Sequence, residues 1–456
     1  MKSAKILALT LPSLLVLGAC TLTPKYERGA LPVAQSWPVD TQTASDVHLK
    51  WRELFVDAKL QKTIELALAN NRDLRVAALD ITRARAEYGI ARADLFPALD
   101  GTLSGNRAHT PAAGTTTGYS ANLGLSWQVD LFGRIRSLNK AALESFFGAQ
   151  ENRNAVEITL IGDTASAWIT LAADQDALRV AQETLKLSKD NYDIAAGQAR
   201  IGTLSDLDLS ETKTEYETAR QTVAQAETTV DQDKAALTLL VGAGVPDDLL
   251  PDGLKAGIVA DSLPVGVPSQ VLLNRPDVLV AEHTLKADNA DIGAARAALF
   301  PSISLTGAAG SASNALGNLF KSGTGTWSYG TSAAESLFAG GANINAVKSA
   351  KASRDIAVAQ YEKVIQSAFR DVSDALAVRS RIDERLDAQT QATDAAQTAF
   401  KLSQVRYQTG ADSYLTLLTA QRTLYTSQQT LIGLQALRAT NLSTLYQALA
   451  DDESLN

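Results

Sequence analysis

Gly89-Ile-Ala-Arg92-Ala-Asp-Leu-Phe96-Pro97 returns 204 residues later as Gly293-Ala-Ala-Arg296-Ala-Ala-Leu-Phe300-Pro301. The offset holds without a gap back to Asn70-Asn71-Arg72-Asp73 against Asn274-Arg275-Pro276-Asp277. A period this long is an internal duplication, not a solenoid of small repeats. The chain builds one pseudo-symmetric object from two similar halves.

Each Leu-Phe-Pro ends a helical pattern, because proline lacks an N–H and pushes the residue before it toward extended geometry. Strand candidates follow. In the first half Leu99, Gly101, Leu103 and Gly105 alternate with small polar residues, residues 106–118 have loop composition, and Tyr119, Ala121, Leu123, Leu125, Trp127, Val129 and Leu131 alternate again. The second half repeats the plan with Ile303 and Leu305, a Gly/Ser-rich stretch at 307–325, then Trp327, Tyr329 and a run to Leu337-Phe338. The pattern predicts β-hairpins over 97–132 and 301–338. Strands of about ten to fourteen residues meet the roughly 9–11 that a tilted membrane strand needs. Small polar residues on the other face suit a water-filled lumen, although a soluble hairpin would show the same alternation. Pro97 and Pro301 on entry, and Gly133 and Gly340 on exit, are the candidate junctions between strand and helix.

The rest reads as long helix. Residues 139–200 contain no proline, and 342–408 contain neither proline nor glycine. Such helices are roughly 90–100 Å long at 1.5 Å per residue, wider than a single globular core, so they pack side by side. Leu171, Leu178, Leu185 and Tyr192 step by seven, as do Leu209, Tyr216, Val223, Val230 and Leu237. Leu417, Leu424, Leu431 and Leu445 form a third ladder, with Arg438 at the missing rung. A strict seven-residue repeat implies left-handed supercoiling. Gly202 and Gly410, each followed by a serine cap, mark the turns of two long antiparallel helical hairpins. These turns lie 208 residues apart, whereas Lys186-Leu-Ser against Lys401-Leu-Ser gives 215, one heptad more. A helix from about 61 to Phe96 and another from Gly202 to about 240 together match the length of one uninterrupted helix. Each chain then offers four helix columns and four strands. Four strands cannot close a barrel, and open edges do not occur in lipid, so strands in a membrane require oligomerisation. A trimer supplies twelve strands and twelve columns.

The N-terminus addresses the envelope. Lys2 and Lys5 precede an apolar run from Ile6 to Leu17, too short to span a bilayer. It ends in Leu17-Gly18-Ala19-Cys20, which resembles a bacterial lipobox and implies that Cys20 carries a diacylglycerol and an N-acyl chain. Cys20 is the only cysteine of the 456 residues, which excludes a disulfide within the chain. Thr21 after it fits outer-membrane sorting. The net charge of −8 argues against a nucleic-acid partner. No phosphate loop, nucleophile elbow or metal spacing occurs, and His48, His109 and His283 are far apart, so neither catalysis nor a cofactor beyond the covalent lipid is expected.

Arg275-Pro276-Asp277-Val278, Ala281-Glu282, Ile292-Gly293 and Phe300-Pro301-Ser302-Ile303-Ser304-Leu305 resemble the signature of the TolC-like outer-membrane efflux proteins, most of all the lipidated OprM-like/NodT subgroup. Tyr407-Gln-Thr-Gly410 and Tyr414-Leu415-Thr416-Leu417-Leu418, followed by Ala420-Gln421-Arg422, are a second match. The resemblance covers the mature chain and implies a mainly α chain forming a homotrimer, with a twelve-stranded outer-membrane β-barrel continued by a twelve-helix coiled-coil α-barrel in the periplasm. It implies a leader at 1–19, a lipidated segment at 20–60, repeats at 61–240 and 273–449, an equatorial connector at 241–272 and a tail at 450–456. It further implies a passive exit duct for drugs or other small molecules, docked to a periplasmic membrane-fusion adaptor and an inner-membrane transporter of the RND type. A lipid-anchored periplasmic coiled-coil scaffold and the exit duct of a type I protein secretion system are the alternatives.

By the same resemblance the hairpin tips at Gly202 and Gly410 form the adaptor contact and the periplasmic entrance. Leu415 matches a hydrophobic constriction ring. Asp206, Asp208 and Glu211 on the first tip, with Asp412 on the second, are the candidate entrance acids. Helix capping accounts for them equally well. Relatives carry gate acids at the positions of Thr416 and Thr419, so Asp208 or Glu211 is the expected substitute.

Overall fold

A computed structural model of the protein describes residues 21–34, 36–37, 50–112, 114–255, 257–260, 269–451 and 455. The leader, Cys20 and His48 lie outside the described residues. In chain order the elements are α1 (Trp51–Leu54), α2 (Ala58–Asn70), α3 (Arg72–Ala93), β1 (Ala98–Thr110), β2 (Gly114–Val129), α4 (Arg134–Arg200) and α5 (Asp206–Val241), then α6 (Pro276–Ala297), β3 (Ser302–Ser313), β4 (Gly325–Ala334), α7 (Ala342–Gln408) and α8 (Tyr414–Leu449). The duplication is visible in the lengths. The helices α3 and α6 have 22 residues each, α4 and α7 have 67, and α5 and α8 have 36. Both hairpins are therefore related by 208 residues throughout, and the 215-residue match has no structural counterpart. The step from 204 to 208 falls between β3 and α7, where loops absorb extra residues without disturbing helix phase.

The chain divides into two compact units, one of Met1–Ala30, Leu79–Glu151 and Leu279–Val364, the other of Leu31–Ala78, Asn152–Val278 and Ile365–Asn456. The first unit holds one antiparallel sheet in the order β1-β2-β3-β4. Pairing of β2 with β3 sets the two repeats side by side, and β1 and β4 each have one unpaired edge within the chain. The register places Leu99 opposite Leu125, Trp127 opposite Leu305, Val129 opposite Ile303 and Ala309 opposite Trp327. Ser104 faces Ser120, and Gln128 faces Ser304, on the other side. One face is thus apolar and the other small and polar, as a lipid-facing and water-facing wall requires. Leu99, Leu103, Leu123, Trp327 and Tyr329 are exposed.

Two expectations are corrected here. The stretch 106–118 is mostly strand, and 307–325 begins as strand: β1 runs to Thr110, β2 begins at Gly114, and β3 runs to Ser313. Gly, Ser and Thr that read as loop are the small residues of a polar sheet face, and Gly310 has no room for a Cβ beside the Ala121 carbonyl and Asn122. Conversely, β4 stops at Ala334, short of Leu337-Phe338.

The second unit is the helical one. Val223, Val230 and Leu237 on α5, and Leu417, Leu424 and Leu445 on α8, are buried. Tyr192 of α4 stacks on Tyr216 of α5 with centroids 5.6 Å apart, so the two heptad ladders meet. The helix expected from 61 to Phe96 is a third correction. It is broken at Asn71, whose side-chain oxygen accepts from the Leu74 amide at 2.9 Å and whose Nδ2 donates to the Leu240 carbonyl at 2.8 Å. A local cap combined with a bond to the end of α5 outweighs helical continuity. Gly242, at φ 72°, closes α5, and a Cβ there would lie 2.6 Å from the Asn70 carbonyl. The connector expected at 241–272 pairs with the N-terminal segment: Phe55 bridges Val259, and the Ala260 amide donates to the Leu54 carbonyl. Among the described residues no helix is long and apolar enough to cross a membrane.

Candidate functional site: the helical-hairpin tips

Both tips are one turn built twice. At the first, the Gly202 amide donates to the Ala199 carbonyl and the Thr203 amide to the Gln198 carbonyl, each at 3.0 Å. At the second, the Gly410 amide donates to the Tyr407 carbonyl and the Ala411 amide to the Arg406 carbonyl. This two-bond closure needs a left-handed residue, and the glycines stand at φ 77° and 73°. Ser205 and Ser413 then cap α5 and α8.

The tips differ in what they carry at equal positions. Asp208 corresponds to Thr416 and Glu211 to Thr419, each 208 residues on. The Asp208 amide donates to Ser205 Oγ at 3.1 Å, and Ser205 Oγ donates to the Asp208 carboxylate at 2.7 Å. At the second tip the Thr416 amide donates to Ser413 Oγ and the two hydroxyls lie 3.2 Å apart. Thr419 donates its hydroxyl to the Leu415 carbonyl at 2.8 Å. Asp208 is therefore a cap residue by contact, while Asp206 in the same first turn is exposed and without a side-chain cap role. Leu415 is 62% exposed, and its counterpart Leu207, which the sequence reading passed over, is 68% exposed. A comparison of the two tips at the 208-residue offset reveals it.

Asp412 is not a free charge. Arg406 binds it through Nε at 2.6 Å and Nη2 at 3.0 Å. That bond holds the Asp412 carboxyl below its ordinary range and raises the guanidinium. Among the described residues, the tip acids without a paired cation are thus those of the first tip.

Behind the second tip, Phe400, Tyr414, Leu417, Leu418 and Leu424 form a buried cluster, with Tyr407 packed against it. Burial first, then the charge of Glu215, pushes the Tyr414 phenol up to about 12. Glu215 of α5 is buried and accepts from Arg422 of α8 at 2.6 and 3.1 Å. Gln421 Nε2 donates to Ser188 Oγ of α4 at 3.0 Å. A groove of about 310 Å³ beside these contacts is lined by Thr184, Glu215, Ala219, Arg422 and Tyr425. The two hairpins are therefore joined by an ion pair that spacing alone did not reveal.

In the first unit, the segment 21–28 lies along α6. Arg296 donates to the Leu22 carbonyl at 3.0 Å, Asn289 to the Pro24 carbonyl at 2.8 Å, and Thr23 Oγ1 lies 3.0 Å from Ser137 Oγ. Gly293 permits the approach, since a Cβ there would lie 2.8 Å from the Thr23 Cα. Glu282, 2% exposed, receives Tyr26 Oη at 2.9 Å and Arg28 Nε and Nη2 at 2.9 and 2.7 Å. Burial raises its pKa, but the Arg28 and Tyr26 hydrogen bonds and the Lys286 charge outweigh it and hold the carboxyl at about 2. At the junctions, Pro97 and Pro301 follow matching turns, Gly133 stands at φ 79°, and Gly340 at φ 57° is followed by Gly341 at 85°. The extended start of α4, at Arg134 and not Asn139, follows from Asp130 accepting from the Arg136 amide at 2.9 Å.

The model of the outer membrane efflux protein family matches residues 63–243 and 267–451, one segment for each repeat. The chain is an outer membrane efflux protein. This efflux protein is 44% identical over 95% of its length to the probable efflux pump outer membrane protein TtgC of Pseudomonas putida, 93% of which is covered. It is 38% identical over 90% of its length to the outer membrane protein OprJ of Pseudomonas aeruginosa, 87% of which is covered. The open state of the MtrE outer membrane channel of Neisseria gonorrhoeae superposes with a TM-score of 0.85 at 36% identity, over 94% of this chain and 98% of that one. The fold class of the efflux protein is that of these channels. Its four strands supply a third of a trimeric twelve-stranded β-barrel, and its long helices supply a third of a coiled-coil α-barrel. It is an outer-membrane exit duct of an efflux pump and not an enzyme.

Proposed function

We propose that the Gly202 and Gly410 tips form the periplasmic entrance of the homotrimer and dock a periplasmic membrane-fusion adaptor that serves an inner-membrane transporter of the RND type. The observation that carries this is the duplicated tip, with Leu207 and Leu415 exposed at the same place in each turn. Three copies present six such leucines in a ring, a repeating apolar contact for a partner and a constriction for the lumen. Asp208 and Glu211, on alternate tips, set its charge, because carboxylates in a confined mouth concentrate cations by field focusing. The cargo is drugs or other small molecules, selected by size and charge.

Lipidation of Cys20 belongs to the same proposal. Its support is the path of residues 21–28, which leads the chain toward its start alongside the end of α6, one turn before β3 enters the sheet. An acyl chain attached there is at the membrane-facing end of the helix.

The test is conductance in planar bilayers. Leu415→Ala raises single-channel conductance without changing ion selectivity, and Leu207→Ala, with the trimer intact, weakens co-purification of the pump partners from the native host. Unchanged conductance in Leu415→Ala would remove that residue from the constriction.

A further inference from the structure

The two halves use the same aromatic motif at the sheet–helix junction, but only one of them is satisfied within the chain. Leu131-Phe132 follows β2, and Phe132 stacks on Phe300, which precedes β3, with ring centroids 4.7 Å apart and planes 16° from parallel. The repeat equivalents are Leu337-Phe338, which follows β4, and Phe96, which precedes β1. Phe338 is 90% exposed and Phe96 61% exposed. They sit beside the two unpaired sheet edges. The adjacent helices show the same imbalance. Gly148 of α4 lies against His283 of α6, a Cβ on the glycine standing 3.5 Å from the His283 Cβ. At the repeat offsets of 208 and 204 these positions are Ile356 of α7 and Leu79 of α3, each 59% exposed.

We infer that the contact made inside the chain between the repeats is remade between copies. Phe338 of one copy stacks on Phe96 of the next, and Ile356 packs on Leu79 one level further from the sheet. This seam rests on the trimeric closure given above and names the side chains that hold it. Exposed aromatic and branched side chains facing water at the sheet–helix boundary are unfavourable, whereas a stacked pair adds about 0.5–1.5 kcal/mol beyond its burial. Strand pairing alone leaves the ring angle loose, and an aromatic wedge at each of three seams sets the same crossing as the wedge inside each chain. A second copy is the occupant because its edge strand must pair with β4, which brings its own Phe96 to the Phe338 side.

The experiment is thiol crosslinking of the full-length protein in native outer membranes, where wild type, with Cys20 alone, gives the background. Phe96→Cys with Phe338→Cys, and separately Leu79→Cys with Ile356→Cys, are treated with a short bifunctional thiol reagent. Phe132→Cys with Phe300→Cys is the reference for the same geometry within one chain. Conversion of most monomer to covalently linked trimer by both seam pairs, with the reference pair linking only within the chain, is the expected result. If the reference pair links and the sample is trimeric by mass photometry, but neither seam pair joins chains, the seam is wrong and the trimer stands. A sample that is monomeric overturns the trimeric closure and the seam with it.

Discussion

Asp208 and Thr416 occupy the same place in two copies of one turn: the third residue of a 36-residue helix, its amide donating to a capping serine, 208 residues apart. One carries a charge and the other a hydroxyl. Glu211 and Thr419, one turn further, repeat the contrast. The two tips are thus alike in backbone and unlike in charge.

Asp208→Asn with Glu211→Gln removes two of the three carboxylates of each first tip. Cation selectivity in planar bilayers falls, and block by trivalent cations weakens several-fold. The cap contribution lost is about 0.5–1 kcal/mol, a small shift in melting. Wild-type selectivity with a lower melting temperature would make these acids caps and nothing more.

Arg422→Ala leaves Glu215 buried without its partner, at a cost of about 1–3 kcal/mol to the α5–α8 contact. Faster amide exchange around residues 206–222 and 414–426 and a higher open probability in bilayers are expected. Glu215→Gln, which keeps a neutral hydrogen-bonding group, is milder, and equal exchange in wild type and Arg422→Ala would show that the pair does not hold the hairpins together.

Glu282 gives the N-terminal segment a pH dependence. Its carboxyl lies at about 2 in the folded chain against an ordinary 4.5, so the stabilisation is complete above the ordinary value and is lost as pH falls from there toward 2. The shift corresponds to about 3 kcal/mol. Glu282→Gln removes it at neutral pH, and trypsin then cleaves after Lys25 and Arg28 at least tenfold faster. Unchanged cleavage rates would show that segment 21–28 is held by its backbone contacts alone.

Asp233 has the opposite sign. Burial first, then the neighbouring Asp174 carboxyl, pushes it up to about 7. Its folded form holds a proton that the unfolded form releases near 4, so the stability cost grows as pH rises from there through 7. Asp233→Asn should raise the melting temperature at pH 8 and leave it unchanged at pH 4, as read by circular dichroism across that range.

Cys20→Ser blocks acylation. Metabolic labelling with palmitate disappears and the unprocessed precursor accumulates on gels, while barrel assembly retains part of its yield. Normal labelling in the variant would place the lipid elsewhere.

Local spacing accounts for much of what the sequence determines by itself. The duplication, the two long proline-free helices, the heptad ladders and the glycine turns at 202 and 410 depend on periodicity, on proline's missing donor and on positive φ, all properties of neighbouring residues. Alternation identified the strands and their apolar face for the same reason, although Gly, Ser and Thr disguised how far they extend. The tertiary structure alone decided the rest. The break at Asn71 depends on the Leu240 carbonyl, the neutralisation of Asp412 on Arg406, and the joining of the hairpins on Arg422 and Glu215, 207 residues apart. The burial of Glu282 depends on Tyr26 and Arg28, more than 250 residues away in sequence. Charged and polar partners at such separations leave no periodic trace, because one bond between two side chains constrains only the two positions it joins.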